Sequence, residues 1–209
     1  MRKFKAQVST KVYNTLDYLD KPRWISLWHQ VNEVMTKAPK TILEIGVGNG
    51  LVSHVFKLLS QSIITIDIDR YLKPDYIGDV RKLPFPNSSF DTILCAQVLE
   101  HLPYTDFTKA LSELNRVCKR YTILTLPHDY MTYLLVCFKV IPFLKPITIF
   151  RTLPRWQTHS FDGQHYWEIG KKGYPLFKIS REIKAAGFII EKTYCLPENP
   201  YHRFFILKK

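Results

Sequence analysis

The sequence lacks any pair of cysteines close enough to form a redox or metal-binding motif. Its four cysteines, Cys95, Cys118, Cys137 and Cys195, are widely spaced and include no CxxC pair. Zinc sites and disulfide frameworks depend on closer or denser cysteine patterns, so the spacing argues against both. It fits a protein of the reducing cytosol, and we expect a cytoplasmic location.

Long apolar runs, internal repeats and low-complexity segments are also missing. The N-terminus MRKFKAQVST is basic and polar with no apolar stretch behind it, which predicts no signal peptide. The most apolar segment, residues 128–160, is interrupted by lysines and prolines, so it lacks the roughly 20 uninterrupted apolar residues of a spanning helix. The composition, 46% hydrophobic over 209 residues, predicts a single globular domain with a sizeable core.

The net charge of +12 lies wholly in the two flanks of the chain. Residues 41–128 carry nine basic and nine acidic side chains, residues 1–40 carry eight and three, and residues 129–209 carry thirteen and six. A basic flank can face an acidic substrate, a nucleic acid or an anionic membrane, or it can be an ordinary solvated surface.

From Lys40 onward, short apolar strands alternate with amphipathic helices. Strands are predicted at TILEI, SIITIDI, FDTILCAQV and RYTILTLP, and helices at LVSHVFKLLS and TDFTKALSELNRVC. Near the C-terminus, a helix at PLFKISREIKAAGF precedes two strands, IIEKTYCL and RFFILKK. This order predicts an α/β fold. We expect a Rossmann-like, doubly wound, mostly parallel sheet with a C-terminal antiparallel hairpin and a helical/aromatic cap.

The string E-x-G-x-G-x-G follows the first strand and opens a helix, and it comprises Glu44, Gly46, Gly48 and Gly50. Glycines serve where a chain turns tightly and where a ligand lies against bare backbone. The spacing differs from the G-x-G-x-x-G of dinucleotide enzymes. A carboxylate at Glu44 suits a cationic ligand, such as an amino group or a sulfonium, better than a pyrophosphate. A purely structural turn is the alternative.

Two further acidic positions follow at intervals that suit a nucleoside. Asp67 lies at the end of the second strand, about 20 residues beyond the glycines, where a carboxylate can accept hydrogen bonds from ribose hydroxyls. We prefer it to Asp69, which reads as a solvated loop residue. Asp79, before the third strand, could bind an adenine amino group with Val80 beside it, or it could simply cap a turn.

Together the segments ILEIGVGNG, ITIDID, GDVRKLPFPNSSFDTI and AQVLEHL resemble the class I S-adenosylmethionine-dependent methyltransferases. Within that class the chain is most similar to the broad group of ubiquinone and menaquinone biosynthesis methyltransferases. The resemblance implies S-adenosyl-L-methionine as cofactor and S-adenosyl-L-homocysteine as product. It implies that the cofactor contacts Glu44, Gly46, Val47, Gly48, Gly50, Asp67, Ile68, Asp79, Val80 and Gln97.

The implied reaction is in-line displacement of a methyl group from sulfonium by a substrate nucleophile, for which a hydroxyl acceptor needs a general base. His101 and His165 are the candidates, because imidazole titrates near neutrality. Either histidine could instead be structural, and Glu100 could orient His101 or cap the next helix. The remaining histidines, His29, His54, His128, His159 and His202, show no metal-ligand spacing, so we expect no metal.

The resemblance also divides the chain, as a single methyltransferase domain 1–209, into four segments. These are an N-terminal helical cap 1–39, a cofactor-binding core 40–127, an inserted substrate lid 128–165 and a C-terminal helix with strands 166–209. In the cap, two helical pieces break near Pro22, and the second shows one apolar face made of Trp24, Leu27, Trp28, Val31 and Val34.

Substrate choice should reside in the inserted lid. Its aromatic side chains could line an apolar cover, its cations could place it at a membrane interface, or it could form two ordinary cap helices. The aromatic positions are Tyr130, Tyr133, Phe138, Phe143, Phe150 and Trp156, and the cations are Lys139, Lys145, Arg151 and Arg155.

The leading hypothesis is methyl transfer to a small-molecule or lipid- or glycan-linked acceptor, and an acidic acceptor would explain the basic flanks. Peripheral membrane contact through residues 128–160 goes with a lipid-linked acceptor. An RNA methyltransferase is an alternative, but the sequence shows no RNA-binding module and no N/D-P-P-Y/F tetrad. A non-catalytic cofactor-binding scaffold is a third reading, against which the intact acidic set argues.

Overall fold

The structure is a computed structural model that describes residues 10–13, 15–139, 147–154 and 157–209. Its strands are β1 Ile42–Ile45, β2 Ile63–Asp67, β3 Tyr76–Ile77, β4 Phe90–Ala96, β5 Cys118–Pro127, β6 Tyr130–Phe138, β7 Ile147–Pro154, β8 Ile189–Cys195 and β9 His202–Lys208. Its helices are α1 Thr10–Tyr13, α2 Lys21–Met35, α3 Leu51–Leu58, α4 Phe107–Val117 and α5 Leu176–Ala185.

Seven strands form one sheet in the order β3-β2-β1-β4-β5-β9-β8. The pairs from β3 to β5 are parallel, whereas β9 lies antiparallel to both β5 and β8. The chain runs outward from β1 to β3 and then crosses to β4 on the other side, which creates a switch point between β1 and β4. The predicted mostly parallel sheet with a C-terminal antiparallel pair is confirmed.

Helices cover both faces of this sheet and bury two apolar clusters. On one face, α4 buries the stripe that its three- and four-residue spacing predicts, and α5 packs beside it, with Trp167 fully buried between them and the sheet. On the other face, Phe56 of α3 and Val34 of α2 pack against β1 and β4. Parallel strands buried on both faces explain why β1 and β4 are nearly continuous apolar runs.

Helix α2 begins where the sequence predicts but buries a different face. Asp20 caps it, accepting a hydrogen bond from the Arg23 amide at 2.9 Å. The predicted stripe is wrong at two positions, since Trp24 is 47% and Trp28 is 61% exposed. The polar side chains of Ser26, Gln30 and Glu33 are buried in their place.

Specific partners from the C-terminal strands account for that burial. Ser26 lies 2.7 Å from Nδ1 of His202, and Glu33 accepts hydrogen bonds from Lys192 and Tyr194 at 2.9 and 2.7 Å. Burying a polar group costs little free energy when the group has a hydrogen-bond partner. These contacts therefore determine which face of α2 is turned toward the sheet, in place of the predicted apolar stripe.

The inserted segment is a β-hairpin over its described residues, so the expectation of two cap helices is wrong. Strands β6 and β7 pair antiparallel, with Leu134 opposite Arg151 and Val136 opposite Ile149, and they form a two-stranded sheet of their own. Among the lid residues named from the sequence, Phe143, Lys145, Arg155 and Trp156 lie outside the described residues, as do the side chains of Tyr133 and Phe150.

No helix in the described part of the chain has both the length and the apolar content that a membrane span requires.

Candidate active site

A cavity of about 360 Å³ opens at the carboxyl ends of the parallel strands, beside the switch point. It brings together nearly all of the residues singled out from the sequence. Those that line it are Glu44, Gly46, Val47, Gly48, Asp67, Ile68, Asp79, Val80, Gln97, His101 and His165. Gly50 lies outside that lining and instead forms the N-cap of α3.

The glycine loop between β1 and α3 needs its glycines for conformation and for space. Gly46 and Gly48 both have positive φ, 83° and 56°. A Cβ at Gly46 would lie 2.4 Å from Cγ2 of Val98, whereas one at Gly48 would only approach the Tyr18 hydroxyl at 3.6 Å. Gly46 therefore keeps two loops in contact, and Gly48 presents bare backbone to the cavity.

Glu44 is a buried carboxyl at the floor of this cavity. It is 4% exposed, and its Oε2 has no hydrogen-bond partner among the described residues. Burial, together with the charge of Asp67, raises the pKa of Glu44 to about 8, although a hydrogen bond with Ser53 opposes the rise. A carboxyl in this state gains from a cation placed against it.

Asp67 connects the glycine loop to the end of β2. Its Oδ2 accepts from the Val47 amide and its Oδ1 from the Asp69 amide, both at 2.8 Å. Burial raises its pKa, while these backbone hydrogen bonds oppose the rise. Each carboxylate oxygen has a further lone pair, so Asp67 can still accept from hydroxyls in the cavity. Asp69 caps a short turn by accepting from the Tyr71 amide at 2.9 Å, and it also lines the cavity.

Asp79 serves both as a cavity residue and as a turn cap. Its Oδ1 accepts from the Arg81 amide at 2.9 Å, and the Arg81 guanidinium binds both of its oxygens. Arg81 also donates to Asp106 at 2.7 Å. Burial alone would raise the pKa of Asp79, but the hydrogen bonds and charge of Arg81 lower it overall. The carboxylate is thus ionised and held in a fixed orientation.

Gln97 follows β4 in a strained conformation. Its φ is 54°, which is uncommon for a residue with a side chain. The backbone N–H donates to the Thr125 carbonyl at 3.0 Å, and the side-chain amide lies 3.2 Å from the Thr125 hydroxyl. Strain that is held by such contacts is typical of functional sites, and here it turns the Gln97 side chain toward the cavity.

His101 and His165 lie side by side at the opposite end of the cavity. Their ring centroids are 5.0 Å apart. Burial, with the charge of His165, lowers the pKa of His101 to about 4. Burial would also lower the pKa of His165, but the hydrogen bond of Glu168 and the charge of Glu100 raise it overall. The two imidazoles therefore differ in their affinity for a proton.

Several cavity residues were missed in the sequence because they come from distant segments. Tyr18 and Arg23 come from the N-terminal cap, Tyr201 comes from the turn that precedes β9, and His202 is the first residue of β9. Because β9 is antiparallel to β5, its first residues lie at the carboxyl end of β5, next to the cavity. The C-terminal hairpin predicted from the sequence could have indicated Tyr201. Only a strand that is antiparallel to β5 begins beside the carboxyl end of β5, where the cavity opens.

Tyr201 joins the histidine end of the site through Glu168, another residue that the sequence reasoning did not single out. The Tyr201 hydroxyl donates to Oε1 of Glu168, and the same oxygen lies 3.0 Å from Nδ1 of His165. His202 is 4% exposed, and burial lowers its pKa to about 3, so it is neutral at neutral pH.

The absence of metal-ligand spacing led to the expectation of no metal, but the fold creates two groups of suitable side chains. Glu100, His101 and His165 form one, and Asp162, His165 and Glu168 form the other. Spacing along the chain missed the first group because His165 is more than sixty residues from His101, and it missed the second because only one of its members is a histidine.

Residues 43–126 match the family described as "Methyltransferase domain". The chain is similar to the ubiquinone/menaquinone biosynthesis C-methyltransferase UbiE of Burkholderia vietnamiensis. The two are 29% identical over 127 residues, which cover 49% of this chain and 51% of the relative. The chain thus matches about half the length of that protein.

Solved structures share the fold across most of the chain. A protein of Pyrococcus horikoshii superposes with a TM-score of 0.61 at 14% identity, covering 94% of this chain and 92% of its own. The 1,6-didemethyltoxoflavin-N1-methyltransferase of Burkholderia thailandensis gives 0.56 at 12% identity, covering 90% and 85%. These structures confirm the fold, and the domain match with the curated relative supports the resemblance to class I S-adenosylmethionine-dependent methyltransferases.

Proposed function

We propose that this chain, in which residues 43–126 form a methyltransferase domain, transfers a methyl group from S-adenosylmethionine to a small-molecule acceptor. The observation that carries the proposal is the unpaired carboxylate oxygen of Glu44, buried at the floor of a cavity beside the glycine loop and Asp67.

The described residues fit the cofactor group by group. Glu44 suits the cationic amino end, the backbone at Gly48 allows close approach, and Asp67 has acceptor capacity for ribose hydroxyls. Asp79, fixed by Arg81, and the buried Val80 suit an adenine. When bound, the cofactor supplies an activated methyl group on a sulfonium, and the chain supplies alignment and exclusion of water.

The acceptor we propose is small, and it is anionic or linked to a lipid. The related structure from Burkholderia thailandensis holds 1,6-didemethyltoxoflavin together with S-adenosylhomocysteine, which supports a small molecule. We assign the four carboxylates of the cavity to the cofactor, and Arg23 is the one Lys or Arg among the described residues that line the same cavity. A negative group on the acceptor would pair with Arg23.

We propose His101 and His165 as the groups that act on a hydroxyl acceptor. Both line the cavity at the end away from Glu44, and His165 is held by Glu168 and Tyr201 in the way that orients a catalytic imidazole. Replacing both histidines by Asn should lower turnover by about 10²- to 10⁴-fold and leave cofactor affinity unchanged. Unchanged turnover would remove this assignment.

We further propose that the β6–β7 hairpin contacts an anionic membrane. Leu134 at 57% and Leu153 at 56% are exposed on one face of the hairpin, and Leu135 at 40% is exposed on the other. Residues 130–161 contain four Lys or Arg and no Asp or Glu. An isolated two-stranded hairpin is marginal in water, and an apolar surface with cations suits an anionic interface.

Vesicle co-sedimentation tests the membrane contact. The chain should bind phosphatidylglycerol vesicles and not phosphatidylcholine vesicles, and Leu134→Ser with Leu153→Ser should reduce binding. Leu58→Ser, at a leucine of α3 that is 71% exposed, is the control. Equal loss in the control, or no binding by the unmodified chain, would remove the membrane proposal.

Calorimetry with S-adenosylmethionine tests the main proposal. The chain should bind one cofactor, and Asp67→Ala should weaken binding about 10- to 100-fold, since two hydrogen bonds to a charged group are lost. Asp17→Ala, at an exposed aspartate, is the control. A folded chain that binds no cofactor would refute the proposal. Incubation with labelled cofactor and a metabolite mixture would then identify the acceptor.

A further inference from the structure

Glu100, His101 and His165 form a cluster in which the two histidines line the cavity and Glu100 is fully buried beside them. One ligand atom of each residue lies within 4.8 Å of the other two. The Tyr166 amide donates a backbone hydrogen bond of 2.9 Å to the Glu100 carbonyl. This bond connects the turn that contains Glu100 and His101 to the segment that contains His165. Two imidazoles and one carboxylate are a ligand set that first-row transition metals use at catalytic sites.

The hydrogen bonds of the two histidines fix which ring nitrogen carries the lone pair. Nδ1 of His101 lies 3.0 Å from the Gln164 carbonyl, which can only accept, so this nitrogen must carry the hydrogen. Nδ1 of His165 lies 3.0 Å from the Glu168 carboxylate, which likewise accepts. In the neutral rings the lone pairs are therefore on Nε2. A metal-binding histidine almost always has such a carbonyl or carboxylate partner on its other nitrogen.

Glu100 supplies a buried carboxyl group with one unsatisfied oxygen. Its side chain is fully buried, and Oε2 has no hydrogen-bond partner among the described residues. Leaving a buried carboxylate oxygen without a partner is costly, and a bound metal ion would provide that partner.

The second group, Asp162 with His165 and Glu168, is better explained as support for the first. Asp162 accepts the amide hydrogens of Gln164 and His165 at 2.8 and 2.7 Å and so shapes their loop. Glu168 already holds Nδ1 of His165. These contacts orient His165 and leave Glu100, His101 and His165 as the ligand set.

We propose that Glu100, His101 and His165 bind one divalent first-row transition metal ion, of the Mn²⁺ or Zn²⁺ type, and that a hydroxyl of the acceptor coordinates it. This inference rests on the proposed methyl transfer and changes the role of the histidines from base to ligands. Bonds of about 2.1 Å to one ion set ligand atoms roughly 3.4 Å apart, so the side chains must close by about 1 Å.

The ion would act as a Lewis acid on the acceptor. Coordination lowers the pKa of the hydroxyl, as it does for metal-bound water, and its proton leaves to solvent. The acceptor oxygen then forms a bond to the methyl carbon while the sulfur–carbon bond breaks, and the electron pair of that bond stays on sulfur. The acceptor class that follows is a hydroxylated molecule, preferably one with a second oxygen that can also coordinate the ion.

Titration of the tag-free full chain with MnCl₂ or ZnSO₄, followed by calorimetry, tests the proposal, and Mn²⁺ electron paramagnetic resonance gives a second readout. We expect one ion per chain, at least a 100-fold loss of affinity in Glu100→Gln and in His165→Asn, and about a 10- to 100-fold loss in Glu168→Gln. His54→Asn, at an exposed histidine of α3 outside the cavity, should leave metal binding unchanged.

Cofactor titrations separate this proposal from the proposed function. Variants that lose metal but bind S-adenosylmethionine normally are folded and support the metal site. A wild-type chain that binds cofactor but neither ion, or whose ion survives Glu100→Gln and His165→Asn, overturns the metal proposal and leaves methyl transfer intact. A chain that binds no cofactor refutes the proposed function instead.

Discussion

Replacing Glu44 by Gln should abolish a proton release that accompanies cofactor binding. Without a cation nearby, burial raises the pKa of Glu44 to about 8. At pH 7 a carboxyl with that pKa is protonated in about 0.9 of the molecules. A cofactor ammonium placed against the unpaired Oε2 favours the carboxylate, so the proton leaves as the cofactor binds.

The expected magnitude depends on pH in a defined way. The contribution of Glu44 should be about 0.9 protons at pH 7, about 0.5 at pH 8 and about 0.1 at pH 9. The α-amino group of the cofactor itself titrates near pH 8 and takes up a small fraction of a proton at neutral pH. In Glu44→Gln the cofactor amino group still takes up its proton, but no proton is released from residue 44. The difference in net proton release between the two proteins is therefore the contribution of Glu44.

Calorimetry in buffers of different ionisation enthalpy measures the number of protons. The Kd of the unmodified chain should also fall as pH rises toward 8, by up to about tenfold per unit, and that of Glu44→Gln should not. Equal proton release in both proteins would refute the reasoning, since it would mean that Glu44 is already ionised or does not face the amino group. Unfolding curves confirm that the variant is folded.

Three further predictions concern the fold around the site. Gly46→Ala should destabilise the chain by about 2–4 kcal/mol in urea, because it combines a positive φ with a Cβ 2.4 Å from a neighbouring side chain. Gly163→Ala, also at positive φ but in open space, should cost about 1 kcal/mol, and equal losses would contradict the steric argument. Trp167→Ala should cost about 3–5 kcal/mol, since the ring is fully buried, whereas the exposed Trp28→Ala should change stability by less than about 0.5 kcal/mol. His128 has its pKa lowered to about 3 by burial and a nearby arginine, so its stabilising contribution is present above pH 6.5 and is lost as pH falls toward 3. Between pH 7 and 4.5, His128→Gln should therefore lose roughly 2–3 kcal/mol less stability than the unmodified chain, and identical pH profiles would exclude this role.

The parallel half of the fold can be predicted from the sequence, because the local hydrophobic patterns there agree with the structure that the whole chain adopts. β1, β2, β4 and β5 are short apolar runs between amphipathic helices, and their order fixes a switch point beside β1. Side chains at or just after the ends of these strands, such as Glu44, Asp67 and Gln97, lie at one edge of the sheet because parallel strands end at the same edge. The cofactor side of the site was predictable for that reason.

The acceptor side was harder to predict, because it depends on contacts between distant segments. Tyr201 and Glu168 meet His165 only after β9 has reversed beside β5, and no local pattern encodes that meeting. The hairpin β6–β7 was misjudged as helices because an apolar run broken by lysine and proline has no clear period.

Carboxyl groups dominate the charge of the cavity lining, and this excess bears on turnover. Glu44, Asp67, Asp69 and Asp79 line the cavity, whereas Arg23 is the one Lys or Arg among the described lining residues. Methyl transfer removes the sulfonium charge, so the product keeps the cofactor's hydrogen bonds but loses part of its attraction to these carboxylates. The acidic set should therefore favour the donor over the product, and substitutions that neutralise it should weaken binding of S-adenosylmethionine more than binding of S-adenosylhomocysteine, which narrows the difference between the two affinities.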